Sequence, residues 1–121
     1  MPVLYFITIL DEMRVALGHF ELLVMLALLR AGDDAYGVPV CKALEEALGR
    51  DVAIAKVYAA LDRLEAKKLV TSRLGEPTAE RGGRAKRHFT ATAQGLRQVR
   101  QAQAALTTLW RRLPQLREGP A

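Results

Sequence analysis

The residues best suited to chemistry in this chain are cations. Residues 81–88 read RGGRAKRH, with four permanent charges (Arg81, Arg84, Lys86 and Arg87) around two glycines and no acid after Glu80. Guanidinium forks match phosphate oxygens, and glycine lets a backbone come close to a partner. Upstream, Lys56, Ala60, Arg63 and Lys67 recur at helical spacing as a largely basic stripe beside the small side chains of Ala55, Ala59 and Ala60. Lys56 and Arg63 are candidates for phosphate or base-edge contacts, and the Tyr58 hydroxyl is a candidate for phosphate. Each has a plainer reading: a solvated charge run, an internal ion pair for Arg63, a core-edge ring for Tyr58, a packed imidazole for His88. A cationic loop directly downstream of a cationic helix favours the polyanion reading.

Other chemistries lack their residues. Two histidines and one cysteine do not make a closed zinc site without added carboxylates, so no metal is expected. There is no P-loop, dinucleotide-binding glycine pattern or HExxH, and no nucleophile within a base-and-orienter set. The chain is therefore expected to bind rather than catalyse, with no cofactor. The single Cys41 rules out an internal disulfide and fits a reducing cytoplasm; it reads as buried filler. Residues 3–10, VLYFITIL, are too few to span a bilayer and lack the flanks of a signal peptide. They read as a strand or helix turn packed on the core or a partner subunit, or as an extension ahead of a natural start at Met13.

Charge is unevenly distributed. The chain has 121 residues, a net charge of +5 and a hydrophobic half, enough for one folded domain. Residues 1–50 hold four basic against seven acidic side chains, whereas residues 51–121 hold fourteen against six. The second half should meet the polyanion.

The elements that position these cations follow from periodicity. FELLVMLALLR (20–30) is apolar on nearly every side, a helix expected to be buried all round. A second helix is predicted over 37–48, with Val40, Cys41, Leu44 and Leu48 on one side and Gly49 as the residue that ends it. A third spans roughly 53–67 with Asp51 as its N-cap and an apolar face of Ile54, Val57, Tyr58, Leu61 and Leu64. Strands over 69–75 and 86–92 form a long-looped hairpin, and a last helix over 93–113 starts at Thr92 and closes at Pro114. This fold class is mainly α with a small β-hairpin, a winged helix-turn-helix plus a C-terminal dimerisation helix. The third helix would enter the major groove and the hairpin would reach the flanking backbone. The domain plan is an extension (1–16), a DNA-binding unit (17–92), the dimerisation helix (93–113) and a tail (114–121). Val99, Leu106, Leu109, Trp110 and Leu113 are the expected dimer contacts, because the first and last helices carry more apolar surface than so small a core can cover. The rival reading is a winged-helix protein-interaction or assembly module, with the basic wing on an acidic protein surface.

Three stretches, LGHFELLVMLALLRAGDDAYGVPV (17–40), VYAALDRLEAKKLV (57–70) and GGRAKRHFTATAQG (82–95), resemble the PadR-type winged-helix transcriptional regulators, in the short subgroup with one C-terminal helix. The resemblance implies a cytoplasmic homodimeric repressor of a palindromic operator in double-stranded DNA, with room for a small aromatic or drug-like effector that releases it. It maps Tyr36 and Gly37 onto the family's YG pair, Tyr58 onto the tyrosine of the recognition helix, and Arg84, Lys86 and Arg87 onto the basic wing. The chain departs from the pattern at Lys68, where glycine commonly ends the recognition helix. His88 and Phe89 replace a frequent tyrosine pair, and Leu106 stands where some drug-responsive relatives carry tryptophan.

Overall fold

The computed structural model describes residues 17–75 and 86–117, together with Val3 and Leu4, and is mostly helical with one two-stranded antiparallel sheet. The expected extension over 1–16 otherwise lies outside the described residues, as does the tip of the hairpin.

Helix α1 (His19–Ala31) begins where the Glu21 carboxylate reaches back to accept the Gly18 N–H at 2.7 Å. This is half of a capping box, since glycine has no side chain to reciprocate. The helix ends at Gly32, whose φ of 63° is accessible to glycine without steric cost. Val24, Met25, Ala27 and Leu28 face the core, but Leu26 and Leu29 stay on the surface. The expectation of a helix buried all round is therefore corrected. Among the described residues nothing covers Leu26 or Leu29 fully, and the side the helix does bury includes a charge, Glu21.

A short 3-10 turn (Gly32–Asp34) leads to α2 (Gly37–Leu48), which buries Val40, Cys41 and Leu44 and ends at Gly49 in the left-handed conformation, φ 68°. Helix α3 (Ile54–Ala66) follows. Its N-cap is Ala53 and has no side-chain cap; Asp51, the expected cap, lies two positions too early in the turn. The turn is held instead by Glu45, whose Oε2 accepts the Val52 N–H at 3.0 Å, and by the Cys41 thiol, which donates to the Val52 carbonyl at 3.3 Å. Val57, Ala60, Leu61 and Leu64 pack inward. Ala60 thus belongs to the core rather than to the basic stripe, while Ile54 and Tyr58 sit at its exposed edge.

Strands β1 (Val70–Leu74) and β2 (Arg87–Ala91) pair antiparallel, with Val70 opposite Ala91 and Ser72 opposite Phe89. Phe89 is buried, and its N–H donates to the Ala35 carbonyl at 2.8 Å, tying the hairpin to the segment before α2. Between α3 and β1, Lys68 takes a left-handed φ of 64°, a conformation that residues other than glycine rarely adopt.

Helix α4 (Ala93–Trp110) starts at Thr92, whose hydroxyl accepts the Gly95 N–H at 3.0 Å and donates to the Lys68 carbonyl at 2.9 Å. Gly95 is pressed on β1's entry: a methyl there would fall 2.1 Å from the Leu69 carbonyl oxygen. The helix stops three residues before the expected Leu113. Pro114 pushes Leu113 out of the helical region, and Arg111 and Arg112 (φ 59°) have already left it. Among the described residues, no helix is long and apolar enough to cross a membrane.

Candidate nucleic-acid interface

Helix α3 lies with one side on the core and the opposite side in solvent. Its outward crest is Ala55, Ala59, Asp62 and Ala66, all exposed, with short side chains that leave the backbone approachable. One flank of the crest carries Lys56, Arg63 and Lys67; the other carries Ile54, Tyr58 and Glu65. This follows from 100° per residue about a helix whose buried positions are 57, 60, 61 and 64.

The basic flank divides by function. Lys56 is exposed beside Arg50 of the α2–α3 turn, and both line an open hollow of about 480 Å³ with Phe20, Val52, Ala59 and Arg63. Sequence reasoning passed over Arg50. The signal was its place one turn ahead of a recognition helix, where a backbone phosphate would lie. Arg63 and Lys67 turn instead towards α1. Arg63 Nε lies 3.3 Å from Glu21 Oε2, and Lys67 Nζ lies 2.6 Å from Glu21 Oε1. Glu21 is only 4 % exposed. Burial alone would raise its pKa, but the hydrogen bonds from Lys67, the Gly18 N–H and Arg63, with the Lys67 charge, hold it below the ordinary glutamate value. The internal ion pair is thus the reading of Arg63 that the geometry favours.

The other flank joins the motif residues. The Tyr58 ring packs over the start of α2 so closely that a Cβ on Gly37 would fall 2.3 Å from the phenol oxygen. Gly37 and Tyr58 are therefore one contact: the glycine makes room for the ring, which remains partly exposed beside the crest. Tyr36 faces the hairpin. Lys86 Nζ stands 4.5 Å from its ring centroid and 3.3 Å from its hydroxyl, and the His88 ring meets it edge-on at 5.5 Å. His88 is packed, and its buried Nδ1 has no hydrogen-bond partner among the described residues. Arg87 reaches across to α3, pairing with Asp62 and Glu65. Arg81 and Arg84 lie outside the described residues.

The face brings together Arg50, Lys56, Tyr58 and Lys86 as exposed or partly exposed donors and ties Arg63 and Arg87 to acids. Cys41, buried under α2, has its thiol pushed up by burial and by the nearby Glu45 charge, so a reactive thiolate is disfavoured. Among the described residues, no group of His, Cys, Asp and Glu is arranged to hold a metal. The expected dimer contacts divide: Val99 lies in the first half of α4, Leu106, Leu109 and Trp110 at its end, and Leu113 just beyond it. Val99 packs on the core, while Leu106, Leu109, Trp110 and Leu113 are exposed, Leu109 by 73 % and Trp110 by 59 %.

Comparison with known proteins places this arrangement. The model of the transcriptional regulator PadR-like family matches residues 25–101. A PadR family transcriptional regulator from Eggerthella lenta is similar in structure, with a TM-score of 0.59 and 25 % identity, covering 88 % of this chain and 86 % of that one. A PadR-like transcription factor from Bacteroides fragilis matches with a TM-score of 0.64 and 24 % identity over 84 % of this chain and 91 % of that one. A PadR family transcription regulator from Clostridium difficile matches at 0.59 and 20 % identity over 77 % and 92 %. No protein of curated function matches this chain in sequence.

Proposed function

This chain belongs to the PadR-like family of transcriptional regulators, and from that premise we propose that it is a cytoplasmic homodimeric repressor of a palindromic operator. The family is one of DNA-binding regulators with a winged helix, not of enzymes. The observation that carries the proposal is the shared outward face of α3 and the hairpin. Arg50, Lys56 and Tyr58 border a low alanine crest, and Lys86 stands at the root of the wing. In this reading Lys56 reaches base edges, Arg50, Tyr58 and Lys86 hold phosphates, and Arg81 and Arg84 extend the grip from the wing. Residues 17–92 act as the DNA-binding unit and 93–113 as the dimerisation element, with 114–121 a tail.

Two recognition helices one or two DNA turns apart require a two-fold partner, and the exposed apolar side chains at the end of α4 support that reading. A small hydrophobic effector would enter beside Trp110, where Leu106 and Thr107 form a shallow hollow. The test is a salt titration on DNA from upstream of the gene. About six to eight phosphate contacts per dimer give a slope of roughly −6 in log affinity against log salt. Binding indifferent to sequence and salt refutes the reading; retention instead by an acidic protein would favour an assembly module.

A further inference from the structure

Arg87 belongs to the basic hairpin, yet its guanidinium is occupied within the chain. Nη1 donates to Asp62 Oδ1 at 3.0 Å, Nη2 donates to Glu65 Oε1, and Nε donates to Ser72 Oγ at 3.1 Å. The face of the guanidinium lies 4.9 Å from the buried Phe89 ring, and Ser72 Oγ donates onward to Glu65 Oε2. Every guanidinium nitrogen has an acceptor, and the acceptors come from both α3 and β1. A phosphate reaching Arg87 would displace two carboxylates and leave them unpaired on the side of the helix that faces DNA, where like charge repels.

We propose that Arg87 is a positioning residue: through Asp62, Glu65 and Ser72 it sets the angle between the wing and the recognition helix, and through that angle it governs sequence discrimination. The proposal rests on the DNA-binding reading above and refines one member of its site. Phosphate contacts contribute alike to all sequences, whereas base-edge contacts are lost when the recognition helix is misaligned in the groove. A strut and a phosphate contact therefore leave different signatures.

The probes are a duplex enriched from a random-sequence pool by the wild-type protein and an unrelated duplex of equal length. Affinity for each is measured by fluorescence anisotropy from low to physiological salt, with circular dichroism checking that each variant is folded. Arg87→Ala and Glu65→Gln should each lower affinity for the enriched duplex about tenfold, leave the unrelated duplex within about twofold, and leave the salt slope unchanged. Arg87→Lys, which keeps the charge and loses the fork, should behave like Arg87→Ala. A phosphate-gripping Arg87 predicts the reverse. Arg87→Ala would then weaken both duplexes alike and reduce the slope by about 1. Glu65→Gln, by removing a negative charge, would tighten both. That pattern overturns the proposal, as does unchanged binding in all three variants. Should Arg87→Ala fail to fold, Glu65→Gln and Arg87→Lys decide by the same criteria. A wild-type protein that enriches no duplex refutes the DNA-binding reading itself and the proposal with it.

Discussion

Lys68 carries a side chain on left-handed backbone, φ 64°, a conformation that glycine adopts more easily. Left-handed backbone costs a non-glycine residue about 1–2 kcal/mol, more than the roughly 0.4–1 kcal/mol of unfolded-chain entropy that glycine forfeits. Lys68→Gly should therefore raise stability by up to about 1 kcal/mol, read as a higher Tm, with DNA affinity little changed. Gly95 gives the opposite sign. Its added methyl meets a backbone carbonyl that cannot move without breaking the start of β1, so Gly95→Ala should cost about 1–3 kcal/mol in denaturant unfolding. Glu21 makes stability depend on acid. Its folded pKa is depressed, so the stabilisation from Lys67 and Arg63 is present above the unfolded glutamate value and lost as pH falls through the lower folded one. Thermal melts from neutral pH down to pH values below the ordinary carboxylate range should show a loss that Glu21→Gln, already weaker at neutral pH, does not repeat in full.

At the scale of elements, helix α3 is gripped on both flanks by opposite charges, Glu21 of α1 on one side and Arg87 of β2 on the other. The boundaries of α1, α2 and the hairpin were legible in the sequence because apolar periodicity, Gly32 and Gly49 all act locally. The cap at Asp51 and the end of α4 were misread where side chains of the preceding helix, Glu45 and Cys41, or the residue before a proline, decide the outcome. The candidate site was legible as a region but not as roles. Arg50, Lys56, Arg63, Lys67 and Arg87 are all cations, and only the fold shows that a buried Glu21 and the Asp62–Glu65 pair engage three of them. Nothing in a one-dimensional reading marks Glu21 as the partner of residues more than forty positions away. Lys56, exposed on the basic flank, makes a specific prediction. Lys56→Ala should change the base preference of selected duplexes at one position per half-site, with a discrimination of about 1–3 kcal/mol lost there. A uniform fall across all sequences would make Lys56 a phosphate contact only.

The whole molecule is asymmetric in its finish: one end is a packed winged core, and the other is a helix whose last turns stay exposed among the described residues. Leu106, Leu109, Trp110 and Leu113 in water are an unfavourable surface that burial at about 25 cal/mol per Å² would relieve. If the proposed dimer forms through this surface, Leu109→Arg should convert it into a monomer in sedimentation velocity and weaken operator binding steeply, because a monomer holds one half-site only. A Leu109→Arg variant that remains dimeric would place the two-fold contact elsewhere. The attachment of α4 has a mechanical corollary. Its first turn is bolted through Gly95 and Thr92 to the carbonyls of Leu69 and Lys68, the residues that immediately follow the recognition helix. The helix projects about 27 Å from that joint at 1.5 Å per residue. A tilt of about 10° at the joint sweeps the Trp110 end through roughly 5 Å. Conversely, a displacement imposed at the far end returns to the joint as a small rotation with large torque. In the proposed dimer the C-terminal helix would be a lever whose short arm ends at α3, and prying at Trp110 would change the distance between half-sites.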